Sequence, residues 1–126
     1  MTNKEQSEVI RILITDDHIV VREGLRTLIG TEPGLEVIGE AADGAEAVDK
    51  ACELKPDVIL MDMVMPKMDG RETYDRLKEI NPQIKILLSS GYSVEKAARD
   101  ILKGSSDGFI QKPFDVKVLS GKIMQH

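Results

Sequence analysis

The sequence predicts an α/β domain built on a parallel sheet with helices on both faces. Three observations support this class. Short apolar segments of strand length recur five times along the 126 residues. Between them lie segments whose apolar residues recur at helical spacing, and turns rich in Gly, Pro, Asp and Asn separate the two kinds. Strands that alternate with helices form a parallel sheet, because each crossover returns the chain to the same end of the sheet.

The first half of the chain supplies three strands and two helices. Val9–Thr15 and Val58–Asp62 are mostly apolar and have the length of buried strands. Leu35–Ala42 is a weaker strand with charged residues in it. The two helices are marked by apolar residues at helical spacing: Val21, Leu25, Leu28 and Ile29 in the first, then Ala47, Val48 and Ala51 in the second, with Asp43 as its cap.

The second half repeats the alternation. Ile84–Ser89 is predicted as the fourth strand and Phe109–Gln111 as a short fifth strand. An Ala-rich helix is predicted over Val94–Lys103, and Gly104 ends it. Helical spacing marks the two other helices: Tyr74, Leu77 and Ile80 before the fourth strand, and Val116, Leu119 and Ile123 at the end of the chain.

Length and charge limit the classes of function. We expect one domain over residues 9–126, preceded by a polar tail over residues 1–8 that has nothing to bury. The net charge of -5 opposes binding to a phosphate backbone, so we expect no direct nucleic acid binding by this domain. The apolar runs are far shorter than a membrane span, and the first residues lack the apolar core of a signal peptide. We therefore expect a cytoplasmic protein that makes no membrane contact.

Polar residues follow four of the predicted strands. Asp16 and Asp17 follow the first strand, Asp62 ends the third, Ser90 follows the fourth and Lys112 follows the fifth. In a parallel sheet the carboxyl ends of the strands meet at one edge, where α/β proteins place their ligand sites. We therefore expect these five residues to be neighbours.

The three acids in this group favour a metal ion and phosphoryl chemistry. Carboxylates held close together repel one another by roughly 4 kcal/mol per pair at an effective dielectric near 20. Oxygen ligands with open positions suit Mg²⁺, with Mn²⁺ as a possible substitute. A carboxylate can also attack phosphorus and form an aspartyl phosphate. The metal, the Lys112 ammonium and the Ser90 hydroxyl would then each stabilise one phosphoryl oxygen.

These segments resemble the receiver domain of bacterial two-component response regulators. The resemblance rests on Asp16-Asp17, on LMDMVMP followed by Asp69-Gly70, on Ser90-Gly91 and on FIQKPF at residues 109–114, in the order and spacing of the family. It covers about residues 9–126. It implies a flavodoxin-like, doubly wound, five-stranded parallel sheet, and a phospho-acceptor signalling domain that catalyses only its own phosphorylation and dephosphorylation.

The resemblance also implies roles for the acids. Asp62 would accept a phosphoryl group from a sensor histidine kinase or a phosphotransfer protein. Asp16, Asp17 and Asp62 would bind Mg²⁺ together with the backbone carbonyl of Val64.

Further residues are assigned to switching by the same resemblance. Lys112 and Ser90 would contact the phosphoryl group, and Ser90 would form a switch pair with Phe109. The fourth helix, the fifth strand and the last helix would carry the signal to an output domain or a partner protein.

Other interpretations of the sequence remain open. A Mg²⁺-dependent aspartyl-phosphate phosphatase or phosphotransferase would use the same nucleophile, but such haloacid-dehalogenase-like enzymes need a second acid where this chain has Val64. A nucleotide or flavin module would need uncharged donors where Thr15-Asp16-Asp17 supplies negative charge. A degenerate receiver, acting only as an interaction module, has usually lost an acid or the lysine. His18 is interpreted as a first-turn helix residue outside the site.

Overall fold

A computed structural model of the chain describes residues 9–62, 70–90, 108–111 and 116–124. Within these ranges, strands alternate with helices along the chain. The strands are β1 (Ile10–Thr15), β2 (Leu35–Ala41), β3 (Val58–Asp62), β4 (Lys85–Ser90) and β5 (Gly108–Gln111). The helices are α1 (Ile19–Gly30), α2 (Gly44–Leu54), α3 (Gly70–Ile80) and α4 (Val116–Met124).

The strands form one parallel sheet in the order β2-β1-β3-β4-β5. This confirms the predicted α/β class and its parallel sheet. β1 begins one residue later than expected, and β4 begins and ends one residue later, so that Ser90 belongs to the strand. The helix predicted over Val94–Lys103 lies outside the described residues. None of the helices in the described ranges is long and apolar enough to cross a bilayer.

The side chains of β1 alternate between two buried clusters. Ile12 and Ile14 pack with Ile29 of α1, whereas Leu13 packs with Leu77 of α3. This alternation is the two-residue period of a strand, and it requires apolar cover on both faces of the sheet. A strand in such a sheet therefore reads as a continuous apolar run.

β3 is buried along its whole length, from Val58 to Asp62. It lies between β1 and β4, and its residues are shielded on both faces. The apolar residues fix the strand in the core, and the acid follows them directly at the carboxyl end. Asp62 is therefore held at the carboxyl edge of the sheet by a strand that is buried along its whole length.

The predicted cap of α2 is present. The Asp43 carboxylate accepts a hydrogen bond from the backbone N–H of Glu46 at 2.8 Å. In return the Glu46 carboxylate accepts from the backbone N–H of Ala42 at 2.7 Å. The first bond satisfies an N–H group of the first helical turn that has no partner within the helix, and the second ties that turn to the residue before the cap.

Cationic side chains bind the carboxyl ends of two helices. The Arg11 guanidinium donates to the carbonyl of Lys55, the residue after α2, at 2.7 Å. Lys85 of β4 is buried, and its ammonium donates to the carbonyls of Lys122 at 2.8 Å and Ile123 at 3.3 Å in the last turn of α4. Such carbonyls have no partner within their own helix, so a positive donor is stabilising there.

Replacing Lys85 with methionine is expected to lower the free energy of unfolding by about 1–3 kcal/mol, because the α4 carbonyls lose a charged donor while the apolar stem is retained. Urea denaturation measures the change. The matched control is Lys117→Met, which removes an exposed ammonium from α4 and should alter stability by less than about 0.5 kcal/mol. Equal losses in the two variants would contradict the assigned contact.

Candidate functional site

The carboxyl ends of β1 and β3 bring four polar side chains together. β1 and β3 are neighbours in the sheet, so the residue after β1 lies beside the end of β3. One potential ligand atom from each of Asp16, Asp17, His18 and Asp62 lies within 4.8 Å of the others. The structure therefore gathers the three acids that the sequence predicted to be neighbours, and it adds a histidine.

Sequence reasoning excluded His18, but the structure places it in this group. Its backbone N–H donates to the Asp16 carboxylate at 2.9 Å, and its Nδ1 lies 3.2 Å from that carboxylate and 3.0 Å from an oxygen of Asp17. The imidazole is 67% exposed, as expected for the residue that precedes α1. The missed signal was local: an Asp commonly accepts from the backbone two residues later, which turns the chain back toward the acid.

The burial of the acids defines what the group can do. Asp16 and Asp62 are only 1% and 6% exposed, respectively, whereas Asp17 lies at the surface. Carboxylates at such depth are stabilised by donors or by a cation, since burial of negative charge is otherwise costly. Carboxylate oxygens suit hard divalent ions, and imidazole is a ligand for transition metals. The group could therefore hold a metal ion.

Two other predicted site residues lie in described strands. Ser90 is the last residue of β4, one position beyond Ser89, which pairs with Asp62 of β3. Phe109 lies in β5, which pairs with β4. The side chains of Ser90 and Phe109 are not among those described. Two predicted residues lie outside the described ranges: Lys112 and Val64.

The backbone of Asp16 is held on two sides. Its N–H donates to the carbonyl of Ala41 in β2 at 3.0 Å, and its carbonyl accepts from Nη1 of Arg22 in α1 at 2.7 Å. Arg22 also donates from Nε to Glu40 of β2 at 3.0 Å, and Arg26 donates to the other Glu40 oxygen at 2.7 Å. These contacts tie the loop after β1 to both α1 and β2.

The arginines also determine the ionisation of Glu40. Burial disfavours the charged carboxylate, but hydrogen bonds from Arg26 and Arg22 outweigh this effect and hold the pKa of Glu40 below its usual value of 4.5. Because the pKa is lowered in the folded state, the ionised carboxylate stabilises the fold above the usual pKa. This stabilisation is lost as the pH falls through the folded-state pKa.

Wild-type protein should therefore be more stable than Glu40→Gln at neutral pH, and the difference should shrink as the pH falls below 4.5. Urea denaturation of both proteins across this range measures the difference at each pH. Because the other carboxyl groups are shared by the two proteins, their titration cancels in the comparison. A difference that stays constant with pH would contradict the lowered pKa of Glu40.

Comparisons with known proteins agree with the family that the sequence resembles. The family model described as the response regulator receiver domain matches residues 12–124. Among curated proteins, the response regulator protein VraR of Staphylococcus aureus is 40% identical over 114 residues, which are 90% of this chain and 54% of VraR. The chain thus spans about half the length of the curated relatives it matches.

Solved structures give the same family and the same α/β flavodoxin-like receiver fold. A LuxR-family two-component response regulator from Aurantimonas sp. SI85-9A1 is 34% identical with a TM-score of 0.81, and the match covers 90% of this chain and 81% of that one. A CheX-CheY-BeF3-Mg²⁺ complex from Borrelia burgdorferi matches with 33% identity and a TM-score of 0.80, over 91% of this chain and 87% of that chain.

Proposed function

Because this chain belongs to the response regulator receiver domain family, we propose that it is a phosphorylation switch whose acceptor is Asp62. A receiver domain is a signalling domain of a two-component response regulator. The observation that carries the proposal is the position of Asp62, buried at the end of β3 with ligand atoms of Asp16 and Asp17 within 4.8 Å. A sensor histidine kinase or a phosphotransfer protein is the proposed donor.

We propose that Asp16, Asp17 and Asp62 bind Mg²⁺ together with the backbone carbonyl of Val64, and that Mn²⁺ can substitute. The three carboxylates provide the hard oxygen ligands that this ion prefers, and they leave positions open for phosphoryl oxygens. The Borrelia burgdorferi complex, which contains a chain of similar fold together with BeF3 and Mg²⁺, supports the choice of this ion. When bound, the ion supplies positive charge to the transferred phosphoryl group.

In the proposed reaction, a carboxylate oxygen of Asp62 attacks the phosphorus of the donor. The O–P bond forms as the P–N bond to the donor histidine breaks, and the electron pair of that bond returns to the imidazole nitrogen. We propose that the Lys112 ammonium and the Ser90 hydroxyl, from the residue after β5 and the last residue of β4, stabilise the phosphoryl oxygens. Catalysis is thus limited to the chain's own phosphorylation and dephosphorylation.

The proposed switch then shifts a two-state equilibrium. An aspartyl phosphate adds close to two negative charges, which would draw Ser90 toward the phosphoryl group and let Phe109 move inward. We propose that the signal leaves through the helix predicted over 94–103, β5 and α4, and reaches an output domain or partner protein. We also propose that the domain spans residues 9–126, that its five-stranded sheet is doubly wound, with helices on both faces, and that the protein is cytoplasmic.

The proposal is tested by phosphorylation with a small donor. Acetyl phosphate with Mg²⁺ should add one phosphoryl group per chain, detected by intact mass, and excess chelator should prevent it. Repeated turnover of p-nitrophenyl phosphate without accumulation of modified protein would instead identify a phosphatase. Failure to modify the folded protein under any Mg²⁺ concentration would contradict the switch and favour a receiver that serves only as an interaction module.

A further inference from the structure

We infer that Arg22 is a positioning residue of the metal site, because its guanidinium fixes the carbonyl of Asp16 and thereby the direction of the Asp16 carboxylate. This inference rests on the proposed Mg²⁺ site. Neither sequence patterns nor the family resemblance assigned a role to Arg22. Arg22 lies in the first turn of α1, and its importance follows from its contacts with Asp16 and Glu40.

Arg22 is better placed to fix Asp16 than a surface arginine would be. Its side chain is 14% exposed, and its donors reach the Asp16 carbonyl at 2.7 Å and Glu40 at 3.0 Å. The planar guanidinium allows both contacts at once, which a single ammonium could not reproduce with the same geometry. Since Glu40 lies in β2, the guanidinium holds the Asp16 peptide at a set distance from two elements of secondary structure.

A second arginine provides an internal comparison. Arg26 donates to the other oxygen of Glu40 at 2.7 Å, but its side chain is 51% exposed and its hydrogen bond goes to Glu40 and not to Asp16. The two arginines therefore share a charge and an acceptor, and they differ in the contact with the metal-site backbone. A variant at each position separates that contact from the shared ion pair.

Loss of the positive charge of Arg22 and loss of its contact with Asp16 are expected to change Mg²⁺ affinity in opposite directions. Removing a cation near an acidic cluster should strengthen Mg²⁺ binding, because less positive charge opposes the incoming ion. Loss of positioning should weaken binding, because Asp16 is no longer held in the ligand geometry. Groups that orient metal ligands through hydrogen bonds typically contribute about 10- to 100-fold to the affinity for the metal.

The test is Mg²⁺ titration of the unphosphorylated chain by isothermal calorimetry, with wild type, Arg22→Gln, Arg22→Lys and Arg26→Gln. We expect Arg22→Gln to bind Mg²⁺ about 10-fold or more weakly. Arg22→Lys should lie between it and wild type, since the ammonium keeps the charge and only part of the contact. Arg26→Gln should remain within about twofold of wild type, because its change is limited to an exposed ion pair.

Stability is measured separately, by thermal denaturation in excess chelator. Each titration is made well below the melting temperature of its variant, so that weak binding reports the site and not unfolding. Equal or tighter Mg²⁺ binding by Arg22→Gln would overturn the inference, as would equal weakening in Arg22→Gln and Arg26→Gln. If Arg22→Gln does not fold, wild-type affinity in Arg22→Lys would overturn it. Wild-type protein that binds no Mg²⁺ would instead overturn the proposed site on which the inference rests.

Discussion

Replacing Asp62 with alanine is expected to abolish phosphorylation by acetyl phosphate and Mg²⁺. The variant lacks the carboxylate oxygen that would form the new bond to phosphorus, and the other two carboxylates of the cluster, Asp16 and Asp17, are assigned to the metal ion. The fold should survive, because the change shortens a polar side chain at the strand end and relieves repulsion with Asp16 and Asp17. Intact mass measures the modification, and circular dichroism measures the fold.

The matched control for this experiment is Asp49→Ala. Asp49 is an exposed acid on α2, so its removal changes the net charge equally without touching the cluster. The Asp49→Ala variant should be phosphorylated to the same extent as wild type. Modification of Asp62→Ala to the same extent as Asp49→Ala would show that a different residue accepts the phosphoryl group.

Asp17→Asn is expected to weaken Mg²⁺ binding by at least about 10-fold while making the metal-free protein more stable. The amide keeps the shape and one oxygen but removes one of the three negative charges that attract the cation. The same change removes repulsion from Asp16 and Asp62, which should raise the free energy of unfolding in chelator by up to about 1 kcal/mol after solvent screening. A gain in stability with a loss of binding is expected of an acid kept for function.

Calorimetric Mg²⁺ titration and urea denaturation in chelator measure the two effects. Asp75→Asn, at an exposed site on α3, is the control and should change neither quantity appreciably. If Asp17→Asn were destabilised in chelator, Asp17 would serve the fold through its contact with His18. If its Mg²⁺ affinity were unchanged, the metal would be held without Asp17.

The elements that set the position of the site could be predicted because their sequence signals are local and unmixed. Val58–Asp62 is an uninterrupted apolar run that ends in an acid. Such a run is typical of a strand that is buried on both faces of a sheet. Asp43 caps α2 as predicted, because the cap and its partner lie three residues apart. Parallel topology then places the acids after β1 and β3 at one edge.

The contacts around Asp16 could not be predicted, because β2 departs from strict alternation. Its register with β1 shifts between Ile12 and Leu13, so that Val37 pairs with Ile12 but Gly39 pairs with Leu13. The extra residue returns Glu40 to the α1 side, the same side as Val37. Regular alternation would place Val37 and Glu40 on opposite faces of the sheet. Because of the bulge, the sequence pattern alone does not predict that Glu40 contacts Arg22.

The strand order also links the proposed metal site to the folding of the chain. β1 pairs directly with β3, while β2 lies outside β1, so Asp16 and Asp62 meet only after the chain has closed a long loop through α1, β2 and α2. Such non-local pairing forms slowly compared with helices and hairpins. A cation that needs both acids binds the native topology and not its fragments. At about 100 times its dissociation constant it would add about 2.7 kcal/mol to the stability of the native state. The concentration of Mg²⁺ would then help to set the fraction of chains that is folded.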